Sequence, residues 1–196
     1  MEKIKITDKK AISRAVDVLR SGGVVMHPTE TCYGLAVDVF NEAALEKLYR
    51  LKGRDADKPL SILVDGFDMA QEYGVFSEKA NELAQKYWPG ALSIVVPRKK
   101  SLPEFLNKGH EGVSIRYSSD DFSAKMVSEF GSPITTTSAN KSGGEPLYNA
   151  DDLEGVDLIV DGGEILKNKP STVVKVVGDN VQVLRQGDID PRDLFM

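Results

Sequence analysis

The chain has 196 residues, 41% of them hydrophobic and 28% charged, which describes one ordinary globular domain able to bury a single core. A formal net charge of −5 argues against tight, non-specific nucleic-acid binding, because phosphate neutralisation supplies most of that affinity. Cys32 is the only cysteine, so an intramolecular disulfide and a thiolate metal cluster are both excluded.

Met1 to Lys10 is lysine-rich without an apolar core and does not read as a secretory leader. No later run reaches the roughly 18–20 apolar residues that cross a bilayer, so no membrane span and a cytoplasmic location are expected. A first helix is predicted from Asp8 to about Ser21, with Ile12, Ala15, Val16 and Leu19 at helical spacing and Gly22-Gly23 as the stop. Val24 to His27 reads as a short buried strand ending at Pro28. A second helix starts after Asn41 as N-cap, carries Leu45, Leu48 and Leu51 on one face, and ends near Gly53.

Leu60 to Val64 is a further buried strand. Ser77 caps a third helix with Ala80, Leu83, Ala84 and Tyr87 inward. Ala91 to Val96 and Val113 to Arg116 read as strands, and Asp120 to Phe130 as a helix. Thr172 to Val177 and Val181 to Arg185 flank Gly178-Asp179-Asn180, a hairpin signal. Neither a repeat nor a linker interrupts this alternation. The expectation is an α/β fold: one domain over 1–196, a twisted mixed sheet with flanking helices.

Four stretches carry residue types that core packing does not require. Pro28-Thr29-Glu30-Thr31-Cys32-Tyr33-Gly34-Leu35 puts hydroxyls, a carboxylate and a glycine where the chain leaves a strand, a common ligand position in α/β folds; taken alone it reads first as a polar turn. Lys52-Gly53-Arg54 with Lys58-Pro59-Leu60 could hold a triphosphate, or could be basic residues favoured at a helix C-terminus. Thr135-Thr136-Thr137-Ser138-Ala139-Asn140, followed by Ser142-Gly143-Gly144, concentrates uncharged donors and acceptors suited to a phosphate or a zwitterion; the alternative is an edge strand entering a glycine turn. Ser171-Thr172 with Arg185 bounds the terminal hairpin and carries almost no information alone. Lys52, Arg54, Lys58, Arg98, Lys99, Lys100 and Arg116 fall in one half of the chain, which leaves room for a local basic pocket.

His27 and His110 have no partner at metal-ligand spacing, there is no G-x-S-x-G elbow, and there is no P-loop. Cys32 reads as a small buried apolar residue before it reads as a nucleophile.

In their order and spacing, the PTET-x-YGL, K-G-R-x-x-x-K-P-L and T-S-A-N-x-S-G segments resemble the YrdC-like family of threonylcarbamoyl-AMP synthases. Trp88-Pro89-Gly90 and Ser114-Ile115-Arg116 add to the likeness, which runs from Gly22-Gly23 to Leu184-Arg185-Gln186-Gly187. The resemblance implies a YrdC-like open α/β fold with a basic substrate cavity, in the family's short single-domain form. It also implies condensation of L-threonine, bicarbonate and ATP to threonylcarbamoyl-AMP and pyrophosphate. Its product would go to a downstream tRNA-modifying transferase complex; a weak or transient RNA contact is compatible with it.

By the same resemblance Lys52 and Arg54 serve catalysis. Lys52, Arg54, Lys58, Ser138, Asn140 and Arg185 bind ATP, with Mg2+ carried by the phosphates and no protein-held metal. Thr31, Arg116, Thr136 and Ser171 bind L-threonine. The chain differs from the family pattern at His27 and Cys32, at Ala91 and Ser93, at Leu63, and in a loop Ser142–Pro146 one residue longer than common. Two other readings stand beside this one: an RNA-binding module that makes no adenylate, and a carbamoyl-phosphate-dependent adenylate-forming domain.

Overall fold

A computed structural model describes residues 1–55 and 57–194. Helix α1 (Ala11–Arg20) buries Ala11, Ala15, Val16, Val18 and Leu19. It starts three residues later than the periodicity suggests, because the Asp8 carboxylate accepts the Lys10 N–H at 2.8 Å and holds a turn there. Helix α2 (Glu42–Lys52) is capped as its sequence predicts. Asn41 Oδ1 accepts the Ala44 N–H at 3.1 Å, and Gly53 ends the helix in the left-handed region at φ 56°. Helices α3 (Phe67–Tyr73), α4 (Glu78–Tyr87) and α5 (Asp121–Phe130) follow, with Ser77 and Asp120 as side-chain N-caps of the last two. Tyr87 is only partly inward: its hydroxyl donates to the Asp193 carbonyl at 2.8 Å, tying α4 to the short 3-10 turn Pro191–Leu194.

The strands are β1 (Glu2–Lys5), β2 (Val25–His27), β3 (Gly34–Ala36), β4 (Ser61–Val64), β5 (Leu92–Pro97), β6 (Gly112–Tyr117), β7 (Ile134–Ser138), β8 (Leu158–Asp161), β9 (Thr172–Val177) and β10 (Asn180–Arg185). They form one 10-stranded mixed sheet in the order β1-β8-β2-β3-β7-β4-β6-β5-β9-β10. Pairs β1–β8, β2–β8, β4–β6 and β5–β9 are parallel and the remainder antiparallel. The hydroxyl-rich β7 is not an edge. It sits between β3 and β4, where its neighbours satisfy its backbone on both sides.

Alternation along the strands gives each face its own cover. Ile62, Ile94 and Ile115 join Leu45 and Leu48 of α2 and Leu83 of α4 in the larger core. Leu63 and Ile134 point the other way, into a core with Leu19 of α1 and Phe122 and Met126 of α5. A fully buried leucine such as Leu48 or Leu63 contributes roughly 1.5–3 kcal/mol by transfer alone. On this second face α1 and α5 reach only part of the sheet. The uncovered part, over β7, β4, β6, β5 and β9, carries polar residues instead of apolar ones.

Candidate active site

That uncovered face forms the floor of a cavity of about 360 Å³. The register explains which side chains reach it. Thr136 stands opposite Ser61, and Ser61 opposite Ser114; one step along, Leu63 stands opposite Arg116, and Arg116 opposite Ser93. Directly opposed residues share a face, so these hydroxyls and Arg116 project to the side where α5 leaves the sheet bare. The wall comes from the loop after β2 (Thr29, Thr31, Cys32), from Arg54 and Pro59, from Ser138 and Asn140, and from Ser171 and Arg185. Among the described residues no carboxylate lines the cavity.

At one end the C-terminus of α2 is locked to the loop that follows β7. Orphan carbonyls of the last helical turn need donors. The Lys141 ammonium supplies one to Leu51 O at 2.7 Å, and the Ser142 N–H supplies another to Lys52 O at 2.7 Å. Lys52 itself is only 2% exposed. Its ammonium donates to Ser138 O at 2.6 Å, Asn140 Oδ1 at 2.9 Å and Asn140 O at 3.1 Å, while the Ser138 hydroxyl donates to Asn140 Oδ1 at 2.7 Å. Burial, then the nearby Arg54 charge, lowers the Lys52 pKa to about 8. Arg54, just past Gly53, donates to Pro59 O at 2.8 Å and opens onto the cavity.

Lys52, Arg54, Ser138 and Asn140 are therefore assembled together, with Lys52 behind the wall and the others on it. Lys58 stands apart. It is exposed, lies outside the cavity lining and pairs with Asp55 at 3.1 Å.

At the other end Thr29 shapes the loop: its Oγ1 accepts the Thr31 N–H at 3.1 Å and donates to Cys32 O at 2.7 Å. This presents Thr31 toward Arg116, whose Nη2 donates to Thr31 Oγ1 at 3.5 Å. Arg116 is 6% exposed and pairs with Glu30 at 2.8 Å. Glu30 also accepts the Ser118 hydroxyl and the Ser119 N–H. Burial would raise the Glu30 pKa, but the Arg116 charge and the Ser118 hydrogen bond outweigh it and hold the carboxyl below its ordinary value.

Arg185 donates to Ser171 O and to Ser171 Oγ, both at 2.9 Å, and Ser171 Oγ lies 3.2 Å from Ser93 Oγ. Thr31, Arg116, Thr136, Ser171 and Arg185 thus share one cavity, as the sequence suggests. Ser61 and Ser93 join them without having been singled out as site residues, and Glu30, outside the lining, pairs with Arg116. Glu30 sits inside a motif already noted, whereas a serine in a buried strand carries no signal until the register is known.

The residues that differ from the family pattern are accommodated structurally. His27 is 0% exposed, its Nδ1 3.0 Å from both Pro28 O and Ser123 Oγ, and its Nε2 has no partner among the described residues. Burial lowers its pKa, so the ring is neutral and acts as a prop behind the loop after β2. Cys32 lines the cavity, but burial pushes its thiol up, away from thiolate chemistry. Leu63 belongs to the apolar cluster with Phe122.

A mixed α/β sheet with a cationic, hydroxyl-lined cavity at the bare end of one face is chemically suited to anionic small molecules. A family model described as "Telomere recombination" (Sua5, YciO, YrdC) matches residues 17–187. The chain belongs to that Sua5/YciO/YrdC family.

It is 37% identical over 161 residues to a threonylcarbamoyl-AMP synthase of Thiobacillus denitrificans, covering 80% of this chain and 86% of that protein. It is 36% identical over 190 residues to a threonylcarbamoyl-AMP synthase of Bacillus subtilis, covering 93% of this chain and 55% of that one. The crystal structure of Pyrococcus abyssi Sua5 complexed with L-threonine superposes with a TM-score of 0.90 at 29% identity, covering 98% of this chain and 59% of that one. The chain thus spans little more than half the length of the longer relatives.

Proposed function

We infer that this protein is a threonylcarbamoyl-AMP synthase, which joins L-threonine, bicarbonate and ATP into L-threonylcarbamoyladenylate and releases pyrophosphate. The observation that carries the reading is the two-ended cavity: a cluster of Arg54, Ser138 and Asn140 backed by Lys52 at one end, and Arg116 with Thr31 at the other. The amine of threonine is carboxylated by bicarbonate. The new carboxylate attacks the α-phosphorus of ATP, and the bond to pyrophosphate breaks.

Cations and hydroxyls at the phosphate end neutralise the charge that gathers on phosphorus. Arg54, Ser138 and Asn140 suit the phosphates and ribose, with Lys52 fixing the loop they stand on. Lys58 serves the triphosphate from the rim, and Arg185, held on Ser171, serves ATP from β10. Arg116 suits the threonine carboxylate, and Thr31, Thr136 and Ser171 suit its amine and hydroxyl. Holding the reactants side by side supplies much of the acceleration. Hydroxyls without carboxylates fit a magnesium ion that arrives on ATP and keeps its waters, a cation whose preferred ligands are phosphate and water oxygens.

The adenylate would pass in the cytoplasm to a complex that modifies the adenosine after the anticodon of certain tRNAs, with any direct RNA contact weak or transient. Among the described residues no helix is long and apolar enough to cross a membrane. Pyrophosphate release from ATP, with and without bicarbonate and L-threonine, tests the reading.

A further inference from the structure

The end of β2 and the loop after it, residues 27–30, clasp the chain that enters α5, residues 118–123, at two points. At one, Glu30 accepts the Ser118 hydroxyl and the Ser119 N–H, and Ser118 Oγ accepts the Asp120 N–H in turn at 3.2 Å. At the other, the Ser123 hydroxyl donates to Pro28 O at 3.1 Å, while the Asp120 carboxylate holds the Ser123 N–H at 2.8 Å. His27 closes this second point, with Nδ1 3.0 Å from both Pro28 O and Ser123 Oγ. Pro28 O only accepts, so Nδ1 carries the hydrogen and Nε2 a bare lone pair.

Nε2 has no partner among the described residues, and a Cβ built on Gly34 of β3 would stand only 3.5 Å from it. A second proton there would create a buried cation with an unsatisfied donor. Burial opposes that charge most. Asp120 at the start of α5 favours it, Arg116 on β6 opposes it and Glu30 in the loop favours it, with burial prevailing. Neither carboxylate is free to take the new donor: Asp120 caps α5, and Glu30 is committed to Arg116 at 2.8 Å.

We propose that His27 is a positioning residue for the threonine end of the cavity, and that its protonation unclasps the loop carrying Thr31 and weakens L-threonine binding. This rests on the synthase reading above and concerns its amino-acid half. The clasped segment leads directly into Thr31, and Glu30 at its close orients Arg116. A ring released from the clasp titrates near 6.5, whereas the shut clasp keeps it neutral. Each pH unit below about 6.5 therefore favours the released loop by up to about tenfold, at the expense of the threonine-bound state. The nucleotide end shares none of these hydrogen bonds, being built on Lys52, Ser138 and Asn140.

Calorimetric titration with L-threonine, and separately with MgATP, at pH 7.5 and pH 5.5 compares wild type with His27→Asn, His27→Phe and Ser123→Ala. Wild-type threonine affinity is expected to fall about three- to tenfold from the higher pH to the lower. His27→Asn, whose amide keeps a donor for Pro28 O but does not titrate, should bind threonine nearly as wild type does at pH 7.5 and lose most of that fall. His27→Phe, with no donor, should bind threonine severalfold more weakly at both pH values. Ser123→Ala cuts the clasp from the α5 side, should weaken threonine severalfold at pH 7.5, and carries the test if the His27 variants do not fold. MgATP affinity at a given pH should agree within about twofold across all four proteins. No fall in wild type, a fall of equal size in folded His27→Asn, or unchanged threonine affinity in Ser123→Ala overturns the positioning role. Folded wild type that binds no threonine at pH 7.5 is a different result and counts against the synthase reading itself.

Discussion

Lys52 and Arg54 look alike in the sequence, two cations around a glycine, yet the structure gives them different work. Lys52 donates to three acceptors of the loop after β7 and is buried, so Lys52→Ala strands those acceptors. It should lower both turnover and stability, the latter by about 2 kcal/mol, as for a lost charged hydrogen-bonding group. Arg54→Ala should lower turnover strongly while stability stays within about 0.5 kcal/mol, because its contacts are surface carbonyls. Thermal unfolding beside steady-state kinetics separates the two; equal destabilisation would contradict this division.

The Lys52 pKa adds a pH dependence. It is lowered from 10.5 to about 8, so the folded protein bears the cost of a buried ammonium below pH about 8 and is relieved of it as pH rises toward 10.5. Activity should move the other way: above about pH 8 the ammonium loses a donor, the loop carrying Ser138 and Asn140 slackens, and turnover falls. Lys52→Arg, charged throughout, should remove that alkaline limb from the pH–rate profile; an unchanged limb would assign it elsewhere. Sequence exposes the hydroxyl and cation clusters because their composition is wrong for a core. It hides Ser93 and the Glu30–Arg116 pairing, which exist only once β5 and β6 are in register and the loop after β2 folds over them.

At the scale of elements, the C-terminus of α2 positions the end of the cavity proposed for the phosphates. Gly53 is left-handed at φ 56°, and a Cβ there would meet nothing within 4 Å. Gly53→Ala should therefore cost about 1–2 kcal/mol through backbone strain alone. It should also raise half-saturating ATP more than half-saturating threonine, since Arg54 is the next residue. A larger effect on threonine would contradict the placement of the nucleotide at this end.

The helices with good caps, α2, α4 and α5, were legible to within a residue or so. Other elements left no such mark. Strand β1 is a solvent-facing edge whose lysines discourage further pairing, so its pattern is that of a charged tail. Strand β3 has only Gly34-Leu35-Ala36, too short for alternation to register. Helix α3 begins at Phe67 after Gly66, which has no side chain to cap it. Strand β8, Leu158 to Asp161, is an apolar run whose length alone cannot distinguish it from helix.

For the whole molecule, the α/β class and a mixed sheet follow from alternating elements, but the strand order does not. The order β7-β4-β6-β5-β9-β10 brings Thr136, Ser61, Arg116, Ser93, Ser171 and Arg185 onto one face, although they are scattered through the chain. Only the motifs read together as a family resemblance anticipate the meeting of Thr136, Arg116, Ser171 and Arg185, because spacing within each segment says nothing about distance between segments. The bare end of the sheet is the physical reason the cavity lies where it does: α1 and α5 cover the apolar part of that face and leave the polar remainder open.

A cavity that hydrogen-bonds the threonine hydroxyl should also reject L-valine by about 10³-fold or more, since valine leaves those groups without partners. The most direct measurement is pyrophosphate release from MgATP with bicarbonate and either L-threonine, L-valine or no amino acid, with the adenylate product weighed by mass spectrometry. Release that needs both bicarbonate and threonine, with threonylcarbamoyl-AMP as product, is the predicted result. Folded, ATP-binding protein that releases no pyrophosphate in response to threonine would contradict the account.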